Sequence, residues 1–261
     1  MPTGGDWGPL KREATDFAQN VGFQSTAAQP LLRQYIRVRS NAGVPVGGAG
    51  PTGGPGGVGN SAGSGGSGSG GAGGGGTSWS AGVSTAQNVG GFLSRVGNVG
   101  LAEALREVGL GDLIGRSAAE ITGALLDKLA GPGSTLDQAA ARQALVELND
   151  DLLKDADTFE ELEKVLGETI DKDGLFAILL RFFGHYLYEC FCRDFYERLI
   201  KKVGSSQAAQ SLKSIRDCIE SAVKAKLAGR NAKDFNWHGA DGKKLSEQVL
   251  TEVLDIFEVP A

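Results

Sequence analysis

Residues 175–203 read LFAILLRFFGHYLYECFCRDFYERLIKKV, and this stretch decides the fold. It holds eight of the chain's eighteen aromatic residues, no proline, and one internal glycine, Gly184. At about 1.5 Å per residue it makes a helix roughly 44 Å long, enough to cross a small domain. Phe176, Leu179, Phe183, Leu187 and Cys190 recur at helical spacing, as do Leu180, Phe191, Phe195, Leu199 and Val203. Such a helix is too apolar for a surface and is expected at the centre of an all-α bundle. A membrane span is not expected, because ionisable residues interrupt the apolar run.

Arg181, His185, Glu189, Arg193 and Glu197 stand four apart on the same helix. Each step of four advances about 40°, so the five form one slowly turning polar stripe. Arg181/His185/Glu189 and Glu189/Arg193/Glu197 have the spacing to pair along the helix. The stripe reads either as a solvated edge of a buried helix or as a polar groove for a partner.

Working outward, residues 81–261 are helical and well punctuated. A Gly-interrupted helix over 84–97 is followed by LAEALREVGLGDLIG, where Leu101, Leu105, Val108, Leu110, Leu113 and Ile114 supply apolar contacts. Ser117 with Glu120 and Thr135 with Gln138 have capping-box spacing and open helices to Ala130 and to about Lys154. Asp157 or Thr158 caps a third helix, expected to end near Gly167 before the turn Asp171-Lys172-Asp173-Gly174. That acidic turn departs from the spacing of a calcium loop and reads as helix capping. After Gly204, Leu212, Ile215, Ile219, Val223 and Leu227 mark a helix over 206–228. Leu245, Val249, Val253 and Ile256 mark a last one from Lys243 to about Phe257. No period-2 strand emerges, so the expected fold is a compact bundle of six to eight helices around the central one.

Residues 41–80 differ in kind. They contain nineteen glycines, no charged residue and one aromatic, Trp79. Such a segment cannot offset its ordering entropy with apolar burial, and is expected to be a disordered Gly/Ser linker. Its formal G-x-G-x-x-G match at Gly71, Gly73 and Gly76 lacks a preceding strand and is rejected as a dinucleotide site. Ahead of it, residues 1–40 hold two short amphipathic helices, the first expected to follow a Trp7-Gly8-Pro9 turn. Leu10, Ala14, Phe17 and Val21 stripe the first; Leu31, Leu32, Tyr35 and Ile36 stripe the second, with Pro30 expected in its first turn. Two such helices cannot make a core alone, so they pack on residues 81–261 or fold on a partner.

Charge follows the same division. Residues 1–40 carry a net +2, the linker is neutral, and the remainder is −7 within a total of −5. An acidic main domain gives no reason to expect direct nucleic-acid binding. Three cysteines, Cys190, Cys192 and Cys218, are too few for a disulfide framework, and with only His185 and His238 no metal or cofactor is expected. Residues 1–30 lack an apolar signal core, so a cytoplasmic location is expected. No nucleophile elbow, phosphate loop or zinc motif is present, and no catalytic residue is assigned. The best local candidate is the loop Trp237-His238-Gly239-Ala240-Asp241-Gly242, an aromatic, an imidazole and a carboxylate among glycines.

Several segments in order carry a resemblance: Gly8-Pro9-Leu10-Lys11-Arg12-Glu13 with Phe17, Leu32-Arg33-Gln34-Tyr35-Ile36-Arg37, the Gly/Ser tract, Leu101-Ala102-Glu103-Ala104-Leu105-Arg106, Leu113 to Ile121, and Phe235 to Gly242. With these the chain resembles the QatB family, associated proteins of a four-gene bacterial anti-phage system. The family's companions are an ATPase, a QueC-like enzyme of 7-deazaguanine chemistry and a TatD-like nuclease. The resemblance implies a non-enzymatic member that acts as adaptor for, or protein substrate of, these partners; no membrane partner is expected, because Arg181, His185 and Glu189 interrupt the central helix. Trp237, His238, Asp241, Arg181, Glu189 and Arg193 are then the candidate partner-binding residues. Relatives tend to begin Met-Gly, whereas this chain begins Met1-Pro2-Thr3-Gly4-Gly5, so an N-terminal modification requires trimming to Gly4. The competing expectation is a direct effector: a small hydrolytic enzyme using the Trp237–Gly242 loop, or a membrane-active toxin using the central helix.

Overall fold

A computed structural model describes residues 7–20, 25–41, 79–228 and 242–258. Nine α-helices and one short 3-10 turn account for nearly all of these residues, and there is no strand among them. In chain order they are α1 (Trp7–Asn20), α2 (Ser25–Asn41), α3 (Ser80–Val99), α4 (Leu101–Glu107), α5 (Ala118–Ala130), α6 (Leu136–Leu153), α7 (Phe159–Val203), α8 (Ser205–Ala228) and α9 (Gly242–Glu258). The all-α expectation holds, with more helices than the six to eight anticipated. The loop residues Trp237, His238 and Asp241, the N-terminal Gly4, and nearly all of the Gly/Ser tract lie outside the described residues.

The three caps read from the sequence close as drawn. Ser117 with Glu120, Thr135 with Gln138, and Thr158 with Glu161 each form a reciprocal capping box. The helix that Thr158 opens runs past Gly167 instead of ending there. It breaks only at Gly174, whose φ of 73° and ψ of 158° are open to a residue without Cβ. Beyond that kink lies the quoted stretch. Ile178, Leu179, Leu180, Phe182, Phe183, Tyr186, Cys190 and Phe195 show no exposed surface at all. Gly174–Val203 is long and apolar enough to cross a membrane, but 72% of its most apolar window is buried inside the bundle.

The helices α1, α3, α6, α8 and α9 pack around this rod. The Gly-rich sequence of α3 has a packing reason at Gly82, where a Cβ would overlap the Tyr186 ring. Four helices also cap one another across the fold. The Leu101 N–H at the start of α4 donates to Glu163 of α7 at 3.0 Å, and Asn88 Nδ2 of α3 donates to the Leu129 carbonyl at the end of α5 at 2.9 Å.

Residues 7–20 and 25–41 pack on the bundle. Trp7, Leu10, Ala14 and Phe17 of α1, and Leu31, Leu32, Tyr35 and Ile36 of α2, are buried. Trp7 and Tyr35 meet Phe195 at ring-centroid distances of 6.4 and 5.8 Å, and Tyr35 meets Phe191 edge-on at 5.2 Å. Arg198 Nε donates to the Lys11 carbonyl and Gln207 Nε2 to the Ala18 carbonyl, so α7 and α8 hold the backbone of α1. Two expectations are corrected. The first helix begins at Trp7 itself and not after a Trp-Gly-Pro turn. Pro30 sits inside α2 as its sixth residue, because the helix starts at Ser25.

Where α2 ends and α3 begins, the two chain segments touch. The Trp79 indole N–H donates to Ser40 Oγ at 3.1 Å, and the Arg39 guanidinium lies 4.5 Å from the Trp79 ring centroid. Arg39 is 4% exposed. It donates to Asp137 of α6 at 2.6 Å and to Asp194 of α7 at 3.3 Å. Arg193 donates to Asp194 at 2.9 Å and reaches Asp137 at 3.3 Å. The Tyr35 hydroxyl donates to Asp194 at 2.9 Å, and the Tyr186 hydroxyl to Asp137 at 2.8 Å. Two arginines and two aspartates balance, so the buried group carries no net charge.

Three outcomes follow from this packing. Arg39→Met leaves Asp137 and Asp194 short of a buried counter-charge and should cost roughly 3–5 kcal/mol in denaturant unfolding. Arg95→Ala, which removes an exposed pair with Glu107, should cost under about 1 kcal/mol. Cutting the chain at a protease site placed between residues 42 and 78 should leave the two fragments co-eluting in gel filtration, because α1 and α2 are held by burial and not by the connection. Separation of the fragments would contradict the packing.

A candidate functional site between α6, α7 and α8

The helices α6 and α8 both pack on α7 and run opposite to it. On α6, Glu147 and Asp151 stand one turn apart; on α7, His185 and Glu189 do the same, and the two pairs face each other. His185 Nδ1 lies 3.3 Å from Glu147 Oε2 and Nε2 2.9 Å from Asp151 Oδ2. From the other side, Arg216 of α8 crosses to Glu147, with Nη2 2.6 Å from Oε1. Its guanidinium lies 4.4 Å from the centroid of the Tyr188 ring.

Beside this cluster a cleft of about 630 Å³ opens between α7 and α8, with Asp151 of α6 at its edge. That volume lies in the range of small-ligand and peptide-anchor pockets, roughly 300–1,000 Å³. The floor is apolar: Gly184 meets Val223 and Ile219 of α8, where a Cβ would stand 3.2 Å from Val223 Cγ2. Leu227 extends it toward the end of α8. The rim is charged with both signs, by Asp151, Arg181, Arg216, Glu220 and Lys224.

Burial tunes the cluster. Burial first, and then the Glu147 charge, push the Glu189 carboxyl up to about 7. The hydrogen bond from His185 holds Glu147 below its ordinary value against burial, with help from Arg216. Glu147 therefore keeps the negative charge, and Glu189 holds its proton as pH rises toward about 7. Burial raises the thiol of Cys192 to about 12 and that of Cys218 to about 11, which removes their thiolate character. Among the described residues no group of three or more His, Cys, Asp or Glu side chains is arranged to hold a metal ion.

The candidates read from the sequence separate here. Arg181 lies on the cleft wall, and Glu189 is half-buried beside Glu147. Arg193 lies farther along α7 and belongs to the Arg39–Asp137–Asp194 group. The polar stripe is not a solvated edge. Arg181, His185, Glu189 and Arg193 are half-buried, and only Glu197 is exposed. Nor do His185 and Arg193 pair along α7 as anticipated: His185 pairs with α6, and Arg193 with Asp194 and α6. Glu147, Asp151 and Arg216 escaped the sequence reading. The matching four-residue spacings of Glu147/Asp151 and His185/Glu189 were the available signal.

Glu189 sets a pH dependence. A carboxyl whose folded pKa is raised contributes stability that is full below the ordinary carboxylate value, near 4.5, and lost as pH rises through about 7. Glu189→Gln, permanently neutral, should match the natural protein near pH 5. Near pH 8 it should melt higher by roughly 2–4 °C. Equal melting temperatures at both ends would contradict a protonated Glu189.

The family model described as Qat anti-phage system associated protein QatB matches residues 70–257. No curated protein and no solved structure matches the chain. The matched span takes in α3 to α8 and nearly all of α9, and so the whole cleft. The chain belongs to the QatB family, the associated proteins of the Qat anti-phage system.

Proposed function

We propose that this chain is a non-enzymatic component of the Qat defence complex, working in the cytoplasm as an adaptor for its ATPase, QueC-like and TatD-like partners. The family match carries this reading. The chemistry of the cleft supports it: both ring nitrogens of His185 are engaged by carboxylates, and the nearby thiols are held protonated. The burial of Gly174–Val203 weighs against a membrane-active effector.

The docking surface is the α7–α8 cleft, with Asp151 of α6 at its edge. Its α8 wall runs from Arg216 to Ala228, about 18 Å at 1.5 Å per residue. An apolar floor between rims of both signs suits an amphipathic helix of mixed charge from another Qat protein. A polyanion is poorly matched, because Asp151 and Glu220 stand among the cations.

Co-expression with the ATPase and the QueC-like protein, followed by affinity purification, tests the reading. One or both should co-purify, and Leu227→Glu with Lys224→Glu should reduce recovery about tenfold with unchanged helix content. Binding to neither partner sinks the adaptor role. Intact mass after co-expression separates the protein-substrate version, which requires a mass change.

A further inference from the structure

The C-terminal end of α6 holds an electrostatic conflict. Asp150 and Asp151 stand in its last turn without a basic residue there, and Lys154 follows only at the cap. The helix dipole adds partial negative charge at the same place. His185 reaches this end from the neighbouring helix. Its Nε2 is 2.9 Å from Asp151 and its Nδ1 3.3 Å from Glu147. A neutral imidazole has one N–H and one lone pair, so it donates to one carboxylate and turns its lone pair toward the other. Both contacts are attractive only when both nitrogens carry protons.

We propose that His185 is a proton-operated latch: as imidazolium it pins the last turn of α6 to α7, and on losing its proton it releases Asp151 and widens the cleft. Both residues line the cleft, so the latch acts at its mouth. The role in partner docking rests on the adaptor reading; the latch itself is a property of the isolated chain.

The surrounding charges favour a protonated ring. From α6 come Glu147 and Asp151, and from α7 come Arg181 and Glu189. From α8 come Arg216, Glu220 and Lys224. Arg216 is bound to Glu147, and Lys224 lies 4.0 Å from Glu220, so neither presents an unopposed charge to the ring. Glu189, as a neutral carboxyl up to about 7, leaves the Glu147 charge to His185 and Arg216. Burial pushes His185 down, but the hydrogen bond to Glu147 and the Asp151 and Glu147 charges outweigh it and raise its pKa. With a raised folded value, the stabilisation is full below the ordinary imidazole value, about 6.5, and disappears as pH rises through the folded one. The latch is therefore shut at and below the ordinary imidazole value and opens only above it.

Hydrogen exchange of the full chain, corrected for intrinsic rates, reads the latch directly. Between about pH 6 and pH 8.5, protection over residues 147–153 should fall about tenfold while α5 holds steady. Asp151→Asn should show the lower protection at both pH values. Protection that is the same at both pH values, or an equal step in Asp151→Asn, overturns the proposal. The chain has two histidines, and with His238→Gln assigning the spectrum, NMR titration of His185 should give a midpoint that drops in Asp151→Asn. An unmoved midpoint overturns it as well. Partner recovery measured at the same two pH values separates the readings. A working latch with pH-independent binding rejects docking in the cleft, and binding without the exchange step rejects the latch.

Discussion

Inside the bundle Arg39 and Arg193 meet Asp137 and Asp194, with the hydroxyls of Tyr35 and Tyr186 completing the set. These side chains come from α2, α6 and α7, and Asp137 also accepts the Ala81 N–H at the start of α3 at 3.2 Å. Apolar helix faces can be repacked in more than one register if volume and patterning are kept. A buried guanidinium does not allow this, because a shift of one residue leaves a charge unpaired in a medium of low polarity. The cluster therefore fixes how α2, α3 and α6 sit along α7. The net stabilisation of such a group against a well-packed apolar one is small; its effect is on which arrangement forms.

The same α7 serves two different polar sites. Toward its C-terminal half the carboxylates are matched by arginines that stay charged at any accessible pH. Closer to the kink the pairing depends on an imidazole and on a carboxyl that titrates near neutrality. One end of the helix is thus electrostatically fixed and the other adjustable. The cleft lies over the adjustable end, where α6 finishes and where Gly184 brings α8 close.

The helices were legible because their signals are local. Each capping box involves residues three apart, and the apolar period of residues 175–203 needs no knowledge of neighbours. The Gly174 break was legible for the same reason. The pairings were not. Arg39 looks like one more basic residue on a helix with Arg33 and Arg37, and its aspartates lie 98 and 155 residues away in sequence. His185 invited an along-helix partner at Glu189, yet the closer carboxylates belong to α6. A single sequence displays spacing within a helix and hides which helices become neighbours. Pro30 misled because its place in a first turn is only a preference: α2 begins a turn earlier than the proline suggests.

The contact between Ser40 and Trp79 also bears on how this chain can change over time. The described residues on either side of the 37-residue interval between Asn41 and Trp79 meet at one place. Closing an interval costs entropy that grows with the logarithm of its length, about 0.6 kcal/mol per doubling. Halving or doubling this glycine-rich interval therefore changes folding by less than a single helix cap. The stability of the bundle thus constrains the length of this interval only weakly. It constrains Trp79, Ser40 and Arg39, which tie its ends, more tightly.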